Sequence, residues 1–354
     1  MQRARLMEIG WERDLAIDSG DDPGPPTGDR ILVEIEACGV CYRDCIDRDG
    51  RFKFLRIPIT PGHEAVGRVR AVGPRVSMWQ TGDRVATLHR DHCGRCDACQ
   101  RGDTSLCQAA AAVLGLVVDG GYTSHLVAAE RSFYRAEEGM PAAHAAILHC
   151  TYGTAHRALV RSGGVQAGQR VLVTGANGGV GAAAIQVARA LDAHVTAVIR
   201  DPVHEPFVTG LGADEVVVEA TGAIHKAVRG RFDVALECVG QPTFNGTLRA
   251  LRAGGRVVVI GNVTPERVQL NLGYIILNSL EVAGSRGADG DDMAALRELY
   301  RRRPWSIPVH AELPLGQADR AQRMVKAGGL HGRVVLVTGQ GSPASRRQPP
   351  DDVL

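Results

Sequence analysis

One stretch decides the fold of this chain: Arg170-Val-Leu-Val-Thr-Gly-Ala-Asn-Gly-Gly-Val-Gly181-Ala-Ala-Ala-Ile-Gln-Val-Ala-Arg-Ala-Leu191. It begins with a short apolar run, Val171 to Val173, which is typical of a buried parallel strand. A glycine cluster follows, and after it alanine and aliphatic residues recur at helical spacing. Strand, glycine turn and helix in this order are the context that a dinucleotide-binding fingerprint requires.

The glycines of this stretch let the backbone turn sharply and come close to a pyrophosphate. The helix that follows offers free N–H groups and the positive end of its dipole. A glycine cluster also occurs in buried structural turns, so this alternative stays open at this point. The cofactor contacts that we expect here are Gly175, Gly178, Gly179, Val180 and Gly181.

Length and composition indicate a soluble globular protein. The 354 residues suffice for about two domains, each with its own core. Apolar residues make up 44% and charged residues 23%, and the net charge of +2 gives no strong field for nucleic acid or membranes. No signal-peptide pattern appears in residues 1–15, and no apolar run has the length of a membrane span. We therefore expect a cytoplasmic protein that binds a small-molecule substrate, and neither nucleic acid nor membrane.

Strand and helix patterns divide the chain into two domains. Short strands with Gly and Pro turns up to about residue 135 predict a compact β domain. A helical pattern at 141–162, interrupted near Gly153, leads into alternating strands and helices, which predict a doubly wound parallel sheet. The strands are predicted at 171–174, 194–199, 215–218, 233–237, 256–260 and 280–284, with helices at 179–191 and 243–252.

The last part of the chain is predicted to return to the β domain. A helix at 289–302 precedes a final strand that begins at Arg333. The predicted domains are therefore 1–145 with 286–340, and 146–285. Residues 341–354 contain Gly, Ser, Pro and charged residues, and we expect a disordered tail there.

Four cysteines are closely spaced in Cys93-Gly-Arg-Cys96-Asp-Ala-Cys99, with Cys107 eight positions later. Four thiolates in one lobe make a closed tetrahedral zinc site that has no open position for water. Unrelated free thiols are the alternative, but cysteines at this spacing favour a metal. A closed site of this kind is structural and stabilises a loop that contains few apolar residues.

A second group of metal-binding residues is dispersed along the chain: Cys41, His63, Glu64 and Cys150. A thiolate, an imidazole and a second thiolate are ligands of open catalytic zinc sites, and Glu64 would fill the fourth position or lie behind it. Spacing alone does not prove that these residues bind one metal. A His after Pro-Gly is often a turn residue, and a Cys in an apolar helix often belongs to the hydrophobic core. Asp44 would support a ligand from behind or cap a helix.

With these residues in hand, the chain resembles the zinc-dependent medium-chain alcohol dehydrogenases over roughly residues 30–338. The resemblance implies a GroES-like β-rich catalytic domain beside a Rossmann domain, an α/β fold with the active site in the cleft. It implies Cys41, His63 and Cys150 as catalytic zinc ligands, two zinc ions per chain, and a homodimer or homotetramer. The motifs that carry it are Gly39-Val-Cys-Tyr-Arg-Asp44, Pro61-Gly-His-Glu-Ala-Val-Gly67, the four-cysteine lobe and the glycine fingerprint.

Two positions depart from the alcohol dehydrogenase pattern. Those enzymes carry Ser or Thr, and often His, as a proton relay where this chain has Arg43 and Ile46. Isoleucine carries no proton, and arginine stays charged. The chain instead resembles the archaeal acryloyl-CoA reductase branch in Cys41-Tyr-Arg-Asp44, Gly240-Gln-Pro-Thr-Phe-Asn245, Ile260-Gly-Asn-Val-Thr-Pro265 and Leu272-Gly-Tyr-Ile-Ile-Leu277. Further candidate cofactor contacts are Gly261, Asn262 and Arg333.

The expected cofactor is NADPH. An NAD site usually has an acid about twenty residues after the fingerprint, at the end of the second strand. Here that position holds Ile199, and Arg200 follows it with a guanidinium that suits a 2′-phosphate. A solvated surface arginine is the alternative, and the neighbouring Asp201 keeps NADH open.

These features together predict a zinc-containing, NADPH-dependent oxidoreductase that transfers a hydride to an α,β-unsaturated carbonyl, such as an enoyl thioester or enal. Zinc would polarise the carbonyl oxygen. One alternative is an alcohol dehydrogenase or carbonyl reductase whose relay comes from Tyr42 or His149. A second is an inactive dinucleotide-binding zinc protein, although the presence of all three open-site ligands favours an enzyme.

Overall fold

The computed structural model describes residues 1–109, 112–264 and 266–338. Within these ranges, every helix is too short or too polar to cross a membrane. The tail predicted to be disordered, 341–354, lies outside the described residues.

The first part of the chain is built around one long strand. Strand β3 (Arg30–Val40) buries Ile31, Val33 and Ile35 at every second position, as a strand with one face on a core does. It pairs antiparallel with β4 (Glu64–Val72). The other elements of this part are β1 (Gln2–Arg5), β2 (Ala16–Ser19), α1 (Tyr42–Arg48), β5 (Arg84–Thr87), α2 (Asp97–Gln100), β6 (His125–Ala129) and β7 (Phe133–Arg135).

A continuous helical segment then connects the two sheets. It comprises α3 (Ala142–Ile147), a wide turn at His149–Gly153, α4 (Thr154–Arg157) and a second wide turn at Ala158–Ser162. The Gly153 N–H donates to Leu148 O five residues back, at 2.8 Å. The interruption expected near Gly153 is thus a widened turn, a feature that is frequent at functional sites, and the helical path continues through it.

The second sheet has six parallel strands in the order β10-β9-β8-β11-β12-β13. This order is that of a doubly wound dinucleotide-binding fold. Its elements are β8 (Arg170–Val173), α5 (Gly179–Ala190), β9 (His194–Ile199), α6 (Glu205–Gly210), β10 (Glu215–Val218), α7 (His225–Val228), β11 (Phe232–Glu237), α8 (Gln241–Ala250), β12 (Leu251–Val259), α9 (Leu272–Leu277) and β13 (Glu281–Gly284).

The six predicted strands are all present, with one clear difference in length. Strand β12 begins at Leu251 and not at residue 256, because Leu251 pairs with Phe232 before an irregularity in the register. Helix α8 accordingly ends at Ala250 and not at 252.

The chain then returns to the first sheet through α10 (Gly290–Arg302), β14 (Val309–Pro314), α11 (Ala318–Ala327) and β15 (Arg333–Val337). Strand β15 pairs antiparallel with β3, so the sheet runs β14-β15-β3-β4-β5-β7, with β6 also paired to β3. The predicted fold class, a GroES-like β-rich domain beside a Rossmann sheet, is confirmed. The residues assigned as domain boundaries stay a prediction.

One buried cluster spans both sheets. Val66 of the first sheet and Val173 of the second belong to it, together with Ile147 and Ala155 of the connecting helical segment. Because this segment is buried on both sides, it holds its own side chains at a fixed place in the seam between the sheets. Cys150 lies on its first wide turn.

A buried arginine joins this segment to two other parts of the molecule. The Arg157 guanidinium lies 2.6 Å from Asp103 in the four-cysteine lobe, and 3.2 and 2.6 Å from Asp289 and Asp292 at the start of α10. Arg157, Asp289 and Asp292 are each at most 5% exposed. Charges this deeply buried depend on one another, because a buried charge without a partner is costly.

We predict that Arg157→Met destabilises the protein by about 3 kcal/mol, since the two buried carboxylates at the start of α10 would keep only the more exposed Arg161 as their cation among the described residues. Urea unfolding measures the change. The control is Arg303→Met, which removes an exposed pair with Asp192 and should leave the unfolding midpoint unchanged. An Arg157 variant as stable as the control would contradict this role.

Candidate active site

Four metal-binding side chains meet where the two sheets adjoin. The ligand atoms of Cys41, His63, Glu64 and Cys150 all lie within 4.8 Å of one another. The two sulfur atoms are 3.9 Å apart, and Cys150 Sγ is 3.5 Å from His63 Nε2. Two thiolates on one tetrahedral zinc lie roughly 3.8 Å apart, given Zn–S bonds of about 2.3 Å. The spacing therefore fits zinc.

Each of these residues is set by a different element. Cys41 caps helix α1, where its sulfur accepts from the Arg43 N–H at 3.4 Å. His63 lies just before β4, after Gly62, whose φ of +97° favours glycine and whose missing side chain makes room for the Tyr122 ring. Local turn and cap geometry thus orients residues that are far apart in sequence.

Asp44 holds this cluster from behind. Its Oδ1 lies 3.1 Å from His63 Nδ1, and its Oδ2 accepts from the Cys41 N–H at 3.0 Å and the Tyr122 hydroxyl at 2.9 Å. Asp44 therefore takes both roles considered from the sequence, helix capping and support of His63. The sequence analysis missed Tyr122, because nothing within its own neighbourhood indicates a contact 78 positions away.

The Arg43 guanidinium is held by contacts with other protein groups, and it is not placed to act as a proton relay. Its Nη2 donates to Leu114 O at 2.9 Å and lies 2.7 Å from His63 Nδ1, while Nη1 is 3.5 Å from Asp47 Oδ2. A guanidinium only donates, and zinc on Nε2 requires the His63 proton on Nδ1. Asp44 is therefore the partner of Nδ1 that is compatible with zinc.

Without a metal, the electrostatics of the cluster favour a thiolate and a protonated imidazole. Hydrogen bonding from Cys150 lowers the pKa of Cys41 well below its usual value, and the same contact together with burial raises the pKa of Cys150. Burial and Arg43 lower the pKa of His63, but Asp44 outweighs them and raises it to about 9, so a metal at Nε2 would have to displace a proton. The pair of thiols thus carries one favoured negative charge, and a divalent cation would stabilise the second.

Glu64 is the fourth member and is completely buried. Its Oε1 pairs with Arg333 and lies 3.8 Å from His63 Nε2. Its Oε2 has no hydrogen-bond partner among the described residues. Burial raises the pKa of Glu64, and Arg333 opposes that rise. An unpartnered carboxylate oxygen beside two thiols and an imidazole fits a metal ligand or a carboxylate just behind one.

The second cluster lies in the lobe around α2. The sulfur pairs Cys93–Cys99, Cys96–Cys99 and Cys96–Cys107 are 4.0, 3.6 and 3.9 Å apart, again near the tetrahedral spacing. Backbone N–H groups of Arg95 and Cys96 point at Cys93 and lower its pKa to about 6. All four ligand positions are thiols, so the residues fit a closed zinc site.

The glycine fingerprint lies at the carboxyl end of β8. A side chain at Gly181 would come within 2.2 Å of Gly175 O, so the helix and the turn approach closely. Among the described residues, no side chain caps the start of α5, which leaves its first N–H groups available to a pyrophosphate. Arg333 lies against Gly179 and also pairs with Glu64, so it links the predicted pyrophosphate position to the metal cluster.

The other predicted cofactor residues lie on the same edge of the sheet or beside it. Asn262 lies against Gly240, and Gly261 packs on the Cys238 carbonyl. Arg200 is exposed after β9 and has no ion-pair partner within the described ranges. Asp201 accepts from the Val203 N–H at 3.0 Å, so it caps the following turn.

His149, a candidate proton relay, contacts a backbone carbonyl. Its Nε2 lies 3.0 Å from Ala288 O, and its Nδ1 is buried without a partner among the described residues. Burial lowers its pKa to about 4, so it is neutral near pH 7. The sequence analysis missed His89, whose ring centroid lies 5.4 Å from that of His149. Burial and the nearby histidines hold the pKa of His89 well below its usual value.

Comparison with known proteins assigns both parts of the chain to families. Residues 27–138 match the model of the alcohol dehydrogenase GroES-like domain, and residues 179–302 match that of zinc-binding dehydrogenases. The chain is 32% identical over 330 residues to an acryloyl-coenzyme A reductase of Sulfurisphaera tokodaii, covering 92% of this chain and 97% of the relative. It is 30% identical over 333 residues to an alcohol dehydrogenase of Geobacillus stearothermophilus, at 92% and 97% coverage.

A crystal structure of a protein named AibC superposes on this one with a TM-score of 0.88. The two chains are 36% identical, and the superposition covers 96% of each. These comparisons imply zinc and a nicotinamide dinucleotide for the fold. The number of zinc ions and the role of each ligand residue stay predictions.

We predict two zinc ions per chain, one in each cluster. Cys150→Ala should lose one zinc and at least about a hundredfold in turnover while it keeps its fold, because a ligand of the open site is gone. Cys99→Ser should lose the other zinc and lower the melting temperature, because the closed site stabilises its lobe. Elemental analysis of purified protein gives both counts.

The control for both variants is Cys45→Ala, a buried thiol outside the two clusters, which should retain two zinc ions. A Cys150 variant with full metal content and full turnover would contradict the open-site assignment. A wild-type protein with a single zinc would favour the inactive alternative.

Proposed function

This protein belongs to the zinc-dependent medium-chain dehydrogenase/reductase family and is therefore an oxidoreductase, and on that basis we propose that it uses NADPH to reduce an α,β-unsaturated carbonyl compound. An enoyl thioester is the substrate class that the acryloyl-coenzyme A reductase relative favours. An enal is the simpler compound of the same reactivity. Interconversion of an alcohol and its aldehyde or ketone is the competing activity, and the alcohol dehydrogenase relative supports it as the alternative.

In the proposed reaction, zinc supplies a Lewis acid to the substrate carbonyl and the nicotinamide supplies a hydride. Cys41, His63 and Cys150 would hold the metal, and Asp44 would keep the His63 proton on Nδ1 so that Nε2 stays free to bind. Arg333 would hold Glu64 beside the site. The connecting helical segment packs against both sheets, while Cys41 and Cys150 remain partly exposed.

The observation that carries the choice of reaction is that three of the four side chains considered for a proton path are unsuited to it. Tyr42, at the start of α1, is the remaining candidate. Oxidation of an alcohol requires its hydroxyl proton to leave a buried site through side chains that accept and release protons. Ile46 cannot do so, Arg43 is engaged with Leu114 and Asp47, and His149 is bound to Ala288. Conjugate reduction does not need this path, because its proton goes to carbon in a later step and can come from solvent.

The 2′-phosphate preference is supported by the residues after β9. Arg200 is free to bind an anion, whereas Asp201 is used to cap its own turn. A guanidinium grips a phosphate with two parallel hydrogen bonds.

The cellular site that we propose is the cytoplasm, since none of the nine cysteines, all within the described ranges, forms a disulfide.

We also propose that two copies of the chain associate through the edge of the parallel sheet. Strand β13 pairs only with β12 among the described strands, so its outer edge is open to a second copy. Beside it, Leu272, Ile276 and Leu277 of α9 are 65%, 74% and 87% exposed. An apolar helix face next to an open strand edge is typical of an interface between copies. A homotetramer would be built from such dimers.

For the cofactor, Arg200→Ala is predicted to weaken NADPH binding by about 1.5–3 kcal/mol, the value of a hydrogen bond to a charged group, and to leave NADH nearly unchanged. Fluorescence titration of both reduced cofactors measures this. Arg229→Ala, an exposed arginine elsewhere on the same domain, serves as the control. Equal losses for the two cofactors, or tighter binding of NADH by the wild type, would argue against the NADPH assignment.

For the reaction, kcat/KM for an enoyl thioester or enal is predicted to exceed that for the matching alcohol and saturated aldehyde by at least about tenfold, or roughly 1.4 kcal/mol of transition-state preference. Steady-state assays at saturating cofactor give the ratio. If the alcohol–aldehyde pair is preferred by the same factor, the protein is an alcohol dehydrogenase.

For the assembly, Ile276→Asp with Leu277→Asp is predicted to convert the dimer into a monomer, because two charges would have to be buried in the interface. Light scattering after size exclusion measures the mass. Met78→Asp, an exposed apolar residue elsewhere, should leave the mass unchanged. A double variant with the wild-type mass would place the interface on another surface.

A further inference from the structure

A completely buried carboxylate lies at the cofactor edge of the parallel sheet. Glu237 ends strand β11 and is 0% exposed. Within the described ranges, no basic side chain lies close enough to form an ion pair with it. A charge buried in this way is costly unless hydrogen bonds satisfy it completely. Its five hydrogen-bond donors therefore indicate what this carboxylate does.

Four of these donors converge on one oxygen. Glu237 Oε1 accepts from the Val239 and Gly240 N–H groups at 2.8 and 3.0 Å, and from the Thr174 and Thr243 hydroxyls at 2.9 and 2.8 Å. The other oxygen, Oε2, accepts from the Thr247 hydroxyl at 2.7 Å. Two of the partners are backbone N–H groups, which only donate, so Oε1 has to be an acceptor.

Three of these donors belong to two turns that are separate in sequence, and the other two, both threonine hydroxyls, lie on helix α8. Thr174 directly precedes the glycine fingerprint, and Val239 and Gly240 form the turn after β11. The Thr174 hydroxyl also accepts from the Cys238 N–H at 3.0 Å, which closes the link between the turns. The strand order reverses between β8 and β11, and dinucleotides bind at such a point.

The Glu237 backbone extends the same link to a third segment. Its carbonyl accepts from the Ile260 and Gly261 N–H groups at 3.0 and 3.1 Å. Gly261 also packs so closely on Cys238 that a side chain there would come within 1.8 Å of the Cys238 carbonyl oxygen. One residue thus joins the ends of three neighbouring strands, β8, β11 and β12.

We infer that Glu237 is a positioning residue of the cofactor site, whose carboxylate holds the fingerprint turn and the β11–α8 turn in register before the dinucleotide binds. Without it, binding would have to order these turns, and that cost would weaken the complex. The inference concerns the dinucleotide as such and depends on neither the 2′-phosphate preference nor the substrate. It therefore predicts equal losses for NADPH and NADH, unlike Arg200→Ala.

The first test compares Glu237→Ala with Glu237→Gln. The alanine variant should raise the Kd of both reduced cofactors by at least about tenfold, since the turns lose their common acceptor. Glutamine keeps an acceptor for the N–H groups, and its amide can donate to Thr247, so the Kd should stay within about threefold of wild type.

Two further measurements accompany the first test. In the free protein, hydrogen exchange at Val239 and Gly240 should be faster in the alanine variant only. Zinc content should be unchanged in both variants. A glutamine variant that binds the cofactors as weakly as the alanine variant would overturn the inference.

A second test does not depend on whether Glu237→Ala folds. Thr174→Val keeps the size of the side chain and removes both hydroxyl contacts to the β11–α8 turn, the one to Glu237 and the one from the Cys238 N–H, so the Kd of both cofactors should rise by about tenfold. The matched control is Thr196→Val, a buried threonine of the same sheet that does not contact Glu237. Substrate KM at saturating cofactor should be unchanged in both. If the two threonine variants bind both cofactors equally well, Glu237 has only a structural role and the inference fails.

Discussion

An imidazole and a carboxylate are buried beside two half-buried thiols in the seam between two sheets, and Arg333 forms an ion pair with the carboxylate. Burying an ionisable group is costly unless the group has a partner. Glu64 Oε2 has no hydrogen-bond partner among the described residues. A divalent cation would satisfy all four at once. The surrounding structure, from Asp44 and Tyr122 to the turn at Gly62, serves to hold the four side chains at the spacing that such an ion requires.

The connecting helical segment links this cluster to the rest of the molecule. It carries Cys150 on a widened turn, packs against both sheets, and presents Arg157 to carboxylates from two further regions. One of these is Asp103 in the four-cysteine lobe. The lobe thus has a mechanical connection to the helix that carries a ligand of the other cluster, although the two clusters share no residue.

The two cofactor-binding turns depend on buried polar contacts in the same manner. The fingerprint supplies glycines and a free helix terminus, but its position relative to the neighbouring turn is set by Glu237, which no local motif marks. Arg333 of the first sheet contacts the fingerprint turn at Gly179 and forms an ion pair with Glu64. The predicted cofactor and metal positions are therefore held by residues that each contact more than one segment, and small shifts in one turn would reach the others.

Sequence alone was sufficient for features that are encoded over short distances. The six parallel strands, the fingerprint and the four-cysteine lobe follow from periodicity and from spacings of a few residues, because local sterics and nearby ligands determine them. The tertiary structure decided which distant residues meet: Cys41 and Cys150 are 109 positions apart, and Glu64 and Arg333 are 269 positions apart. It also decided that Arg43 lies behind His63 and that Asp44 both caps a helix and supports a ligand. Such contacts depend on how whole sheets pack and where the chain returns, and no local pattern carries that information.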